Sequence, residues 1–263
     1  MVTHYLKIWW QLGVINFNIQ YVASRISTTF LILGKIIRFG FFFFFLVALL
    51  TNTKTLAGFS LYQTLLFFMT FNFVDITIQF LLRGIYLARQ LVREGQFDSI
   101  LVKPINPLFR VASHNIDFLD FFTLVPTIII LGIVISRLET PTTFLNLLIY
   151  FALVLNGLVV ATAIHIIVAA VAVWTQEIEQ EIWIYRDLMT MGRFPLEIYS
   201  APVKTVITFI IPVAVMVTFP AKALLGILST QLVIVSLTIG VLLLAASLKI
   251  WSLALKNYTS VSG

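Results

Sequence analysis

Six stretches of this chain are apolar for long enough to cross a bilayer, and that dictates what it can fold into. Inside hydrocarbon there is no water to satisfy the backbone, so each crossing must be a helix of about 20 mostly apolar residues. The first stretch ends in the run 39–50 and begins between residues 26 and 36. The others cover approximately 61–85, 118–135, 144–173, 206–219 and 232–255. The fifth is short, and residues 220–228 could complete it as a re-entrant or surface helix. With 60% hydrophobic and only 11% charged residues in 263, a soluble core could not hide this apolar surface. The expectation is an all-α membrane protein with six transmembrane helices.

Residues 1–20 lack the short apolar core and small-residue cleavage site of a signal peptide. Tyr5, Ile8, Trp9 and Leu12, set against Lys7 and Gln11, predict an amphipathic helix lying along the interface. The chain has no cysteine, which removes disulfides and Cys-ligated metals.

A net charge of +6 does not point to nucleic acid, because the cations are dispersed between apolar runs. They report topology instead. With the N-terminus inside, the outer loops 51–60, 136–143 and 220–230 hold one cation each: Lys54, Arg137 and Lys222. The inner segments hold Lys7, Arg25, Arg83, Arg89, Arg93, Lys103, Arg110, Arg186, Arg193, Lys204, Lys249 and Lys256. This bias predicts both termini in the cytoplasm of a cell whose plasma (inner) membrane holds the protein. Lys35 and Arg38 fall within the first span. Snorkelling to the inner interface is the expected explanation, a protein-lined cavity the sharper one.

Three polar regions interrupt the pattern. Residues 88–114 predict a short helix stopped near Gly95, then an amphipathic turn with Phe97, Ile100 and Leu101 on one face, stopped by Pro104 and Pro107. The residues alone allow either an element lying on lipid head groups or a rigid docking element for a cytoplasmic partner. Residues 174–204 read as an inner segment. Its acidic start, Glu177, Glu179 and Glu181, is a solvated face and a weak metal signal; a break follows at Pro195, and Tyr199 anchors at the interface. In the second span, Asn72, Asp75, Gln79 and Arg83 share one helical face. They either bond to neighbouring helices or line a path for a polar or cationic substrate.

Enzyme readings do poorly. His4, His114 and His165 are scattered, and no nucleophile elbow, zinc-protease or phosphate-loop motif occurs. An ATP-driven role needs the nucleotide site on another chain.

One arrangement of motifs resembles a known family. Gly95, Asp98, Leu101, Pro104, Pro107 and Leu108 fit the stretch G-x-x-D-x-x-L-x-x-P-x-x-P-L found in permease subunits of ABC-2 type exporters, in the branch labelled viologen or multidrug exporter permeases. Phe194-Pro195-Leu196, Ile198-Tyr199, Ile211-Pro212-Val213-Ala214 and Phe219-Pro220-Ala221 are similar to its late region, and Tyr258 to Gly263 to its ending. Gln96 departs from the more usual acidic or small residue. The resemblance implies an N-terminal connecting helix (1–24), a six-span domain (25–263) and a short outer helix before the last span. It also implies a coupling helix within 88–114, centred on 95–107, in which Arg93, Gly95, Phe97, Asp98, Leu101, Lys103, Pro104 and Pro107 engage the ATPase. It implies a dimer of separate ATP-binding subunits carrying ATP and Mg²⁺, and a second permease, identical or homologous. No cofactor is expected in this chain. The implied activity is export of a hydrophobic, amphiphilic, cationic or lipid-like molecule along a path lined by Asn72, Asp75 and Gln79, with bends at Pro195, Pro212 and Pro220. The alternative is a membrane subunit that anchors the ATPase without forming the path. The Asn72–Asp75–Gln79 face discriminates: it lines a cavity in the first case and is packed in the second.

Overall fold

The computed structural model describes residues 2–140, 142–175 and 181–260. The acidic run, apart from the backbone of Glu181, and the last three residues of the tail motif lie outside the described residues. What is described is helical apart from turns and one isolated bridge, Leu56 to Phe59. Helix α1 (Val2–Ala23) is followed by α2 (Arg25–Thr53), and Ser24 marks the break by accepting a hydrogen bond from the backbone N–H of Ser27 at 3.1 Å. Next come α3 (Leu61–Leu82), three short helices α4 (Ala88–Arg93), α5 (Gln96–Leu101) and α6 (Pro107–Ala112), then α7 (Phe121–Ser136) and α8 (Phe144–Thr175). The chain finishes with α9 (Glu181–Met189), α10 (Ala201–Thr205), α11 (Phe219–Leu224) and α12 (Thr230–Lys256).

Among the described residues five helical stretches pass the length and hydropathy test for a span, and a sixth passes as a bent pair, 201–210 with 214–224, inclined at 82°. Where the sequence predicts one short span at 206–219, the structure has a broken one. The break falls at Ile211-Pro212, because Pro212 has no N–H to continue the ladder; Ile211 is extended, and a π-helical turn flanks it on each side. The second half is not a surface helix. Val213 to Leu225 is buried against α3 and α8, apart from Lys222. Pro220 sits in the first turn of α11 and makes no bend of its own.

Helices α8 and α12 run side by side in the same direction. Asn156 donates to the Ser236 carbonyl at 2.9 Å at one level, and Ala169 and Ala170 pack with Trp251 and Ala254 at another. Their seam is rich in alanine and glycine, which lets backbones approach as helices in lipid require. Elsewhere on α8, Gly157 meets the backbone of Met216 in the buried 213–225 stretch so closely that a Cβ would lie 2.6 Å from its carbonyl oxygen. Two neighbouring parallel spans need a return crossing between them, and residues 181–224 supply it.

The basal end of the bundle carries α4–α6, and both described ends of the chain meet there. Tyr5 of α1 packs edge-on against Phe109 at 4.7 Å, and Asn16 donates to the His114 carbonyl at 3.1 Å. At the other terminus, Tyr258 and Ser260 both donate to Asp98, at 3.0 and 2.7 Å. Three further rings of α1, Trp9, Trp10 and Phe17, gather on Phe118, and Trp9 also meets Phe80.

Candidate functional site

A cavity of about 480 Å³ opens between α2, α3, the start of α7 and the 186–193 stretch. Asn72, Asp75, Gln79 and Arg83 all line it, so the polar face of α3 surrounds a space instead of packing against a neighbour. Gln79 donates to the Asp75 carboxylate at 2.8 Å, while Asn72 turns back to the Phe68 carbonyl. Aromatic rings of α2 and α3 form the apolar wall: Phe39, Phe42, Phe68 and Phe71. Thus part of the run 39–50 does reach a candidate site, with Phe41 exposed at its rim, although Phe44 and Phe45 point outward.

Lys35 does not snorkel. It donates to Asp117 at 2.9 Å and to Asp120 at 2.6 Å, and Arg83, at the end of α3 where a 3₁₀ turn begins, binds the same two carboxylates. These four groups form a closed network at the basal end of the cavity. Beyond it lies a second cavity of about 450 Å³ under α1, which also has Lys35 and Arg83 in its wall. The network is the partition between the two. Sequence reasoning missed both aspartates. The signal was the pair of unexplained span cations, which in a low-dielectric layer demand acids nearby, and Asp117 and Asp120 sit where the chain enters α7.

Residues 181–198 are not a basal loop either. Helix α9 buries Ile182, Tyr185 and Met189 at three- and four-residue spacing, with Tyr185 edge-on to His165 of α8 at 5.1 Å. Farther on, Gly192 reaches Val213, Val217 and Phe71, and Glu197 pairs with Lys222 at the opposite end from α4–α6. Arg186 and Arg193, counted as inner-loop cations, therefore belong to the cavity wall. Arg193 lies over the rings of Phe42 and Phe71, at 5.1 and 5.2 Å, midway along α3. Pro195 ends this climb and opens a single 3₁₀ turn, Leu196–Ile198.

The coupling segment is built as a folded plate. Helix α4 stops at Gly95, which takes φ 70°, a left-handed conformation that favours glycine. Pro107 begins α6 instead of stopping a turn, with Asn106 accepting from the N–H of Phe109 at 3.2 Å. Gly84 holds the plate to α3, its Cα pressed on the Val111 and Ala112 carbonyls with no room for a Cβ. Of the residues assigned to ATPase contact, Phe97 is fully buried against Trp251 and Tyr258, and Asp98 is held by the tail. Those two face inward and brace the plate. Burial and the Asp98 carboxylate push the Tyr258 phenol up to about 12. Arg93, Leu101, Lys103 and Pro104 are exposed, and so is Val102, at 84% the barest apolar side chain of the segment, which the motif did not single out.

Among the described residues no group of three His, Asp or Glu side chains is placed to hold a metal ion. His165 is buried with its Nδ1 against the Ala161 carbonyl, far along the chain from His114 beside α6.

The family model described as "ABC-2 family transporter protein" matches residues 36–262. No curated protein and no solved structure matches the chain. The family match runs from inside α2 through most of the cavity wall, the plate and the tail; α1, the first part of α2 with Lys35, and the α1 side of the second cavity precede it. A bundle of apolar spans around a polar cavity, with a rigid plate at one end, is the membrane part of a transporter, and this chain belongs to the ABC-2 family of transporter proteins.

Proposed function

We propose that the chain is the permease subunit of an ATP-driven exporter, and that the cavity between α2, α3, α7 and residues 186–193 is its translocation path. The observation that carries this is the placement of Asn72, Asp75 and Gln79 in the wall of a 480 Å³ space; an anchoring subunit has no use for polar groups kept unpacked at that depth. A dimer of ATP-binding subunits supplies the energy, as the family generally works with such a partner. Those subunits press on the exposed edge of the plate, Arg93 and residues 101–104. The buried Phe97 and the Asp98–Tyr258 contact make the plate stiff enough to pass the displacement into α3, α8 and α12. A second permease, identical or homologous, completes the path. The bend at Pro212 is the natural hinge between inward-open and outward-open states, and the Lys35–Arg83–Asp117–Asp120 network closes the basal mouth in the state described here. The plate faces the cytoplasm of the plasma (inner) membrane, as the cation bias asks.

The experiment reconstitutes the chain with its ATPase in vesicles and follows ATP-dependent movement of fluorescent amphiphiles. Filling the cavity with Asn72→Trp should stop movement and leave complex assembly intact. Unchanged transport, with loss of ATPase recruitment when the chain is removed, would establish the anchoring role instead.

A further inference from the structure

The cavity's charges do not balance, and the imbalance names its ligand. Lys35 and Arg83 are consumed by Asp117 and Asp120. What remains in the wall is Arg38, Arg186 and Arg193 against one carboxylate, Asp75. Among the described residues none of these three arginines has an acidic side chain within ion-pair distance. Arg186 lies over two rings, Tyr86 at 5.8 Å and Trp183 at 5.7 Å, and the buried Nε of Arg193 has no hydrogen-bond partner among the described residues. Burying a donor without a partner costs free energy, and holding three guanidinium groups around one space adds mutual repulsion. Such an arrangement is complementary to a negative group placed among them. Guanidinium forks bind the oxygens of phosphate or carboxylate in pairs, with more geometric demand than a point charge.

The rest of the cavity specifies what carries that group. Phe39, Phe42, Phe68 and Phe71 offer an aromatic wall beside the arginines. At the rim, Ile37 is 66% and Phe41 75% exposed, so the mouth opens along a face of α2 that a bilayer covers. A ligand entering there comes from the membrane and brings an apolar body.

We propose that the cavity selects an anionic amphiphile, its oxyanion head held by Arg186, Arg193 and Arg38 and its apolar body laid on the phenylalanines. This replaces the cationic substrate that Asp75 alone suggests, since one carboxylate is outnumbered by three unneutralised arginines. The inference deepens the transport reading and rests on it only for movement; binding selectivity is measured without ATP or ATPase.

The full chain is placed in phosphatidylcholine nanodiscs and titrated with dodecyl phosphate, dodecyltrimethylammonium and inorganic phosphate. Dodecyl phosphate should bind at least about tenfold tighter than either of the others. Arg186→Gln with Arg193→Gln should abolish that preference, whereas Arg193→Lys, which keeps the charge, should retain part of it. Arg38→Gln, on an exposed face where it cannot disturb folding, should weaken dodecyl phosphate several-fold. Equal or tighter binding of the ammonium compound overturns the proposal, as does dodecyl phosphate binding that the arginine variants leave untouched. Inorganic phosphate binding as tightly as dodecyl phosphate overturns the amphiphile. Tight, arginine-dependent binding without ATP-driven movement would remove the transport reading and leave the ligand class standing.

Discussion

The basal network and the cavity wall above it are both built of charge, yet they are organised in opposite ways. Lys35, Arg83, Asp117 and Asp120 come from three parts of the chain and satisfy one another. Arg38, Arg186 and Arg193 stand a few helical turns away and share one cavity with the single carboxylate of Asp75. Among the described residues they pair with no acid at ion-pair distance, and Arg186 and Arg193 lie over rings. A paired set of two cations and two anions belongs to the fold, because removing one member strands the others in a low-dielectric layer. An unpaired set contributes little to the fold and is kept for something that comes and goes. Stability and function should therefore separate between the two groups.

The largest effect on stability falls in the paired group. Asp120→Asn removes one of two carboxylates facing Lys35 and Arg83 and should cost about 3 kcal/mol, read from thermal unfolding of the purified chain. The double variant with Lys35→Met should recover part of that loss, and no recovery would break the contrast. Next is the tail contact. Tyr258→Phe takes one donor from Asp98 and should cost about 1 kcal/mol, with faster amide exchange in α5. The same contact has a pH signature. Because the folded Tyr258 ionises near 12 against about 10 when unfolded, its contribution is complete below pH 10 and is lost as pH climbs through 12.

Arg193→Gln should change stability by less than about 1 kcal/mol, since the lost ring contacts are offset by relief of an unpartnered buried donor. A loss as large as that of Asp120→Asn would mean that the wall arginines are structural after all. The smallest effect belongs to Val102→Asp on the plate's bare edge, within about 0.5 kcal/mol of wild type, while stimulation of a partner ATPase by this chain should fall severalfold.

These contrasts were unequally visible in the sequence. Gly95 announced the stop of α4 and Pro212 offered a bend, because both act through local backbone geometry, although the span around Pro212 read as continuous. The grouping of Asn72, Asp75 and Gln79 was readable from helical spacing, and so was its discriminating power between a cavity and a packed face. Phe97 and Asp98 could not be told from Leu101 in the same way, since both classes sit in one short motif and differ only in what packs beneath them. The counting of Arg186 and Arg193 as loop cations failed for a related reason. Their segment is polar enough to pass for a loop, and only the buried Ile182, Tyr185 and Met189 reveal that it climbs along α8.

What the sequence by itself determined is the membrane-spanning class, the positions of the apolar helices and the motifs of the family, all of which depend on composition and on spacing along one helix. Tertiary structure alone decided which charges are neutralised. Lys35 lies 82 residues from Asp117 and Asp98 lies 160 from Tyr258, and spacing within a helix carries no information about how that helix is rotated against a distant one. The same ignorance hid the three unpaired arginines: each is ordinary in its own segment, and their excess over Asp75 exists only once α2, α3 and residues 186–193 enclose a common space.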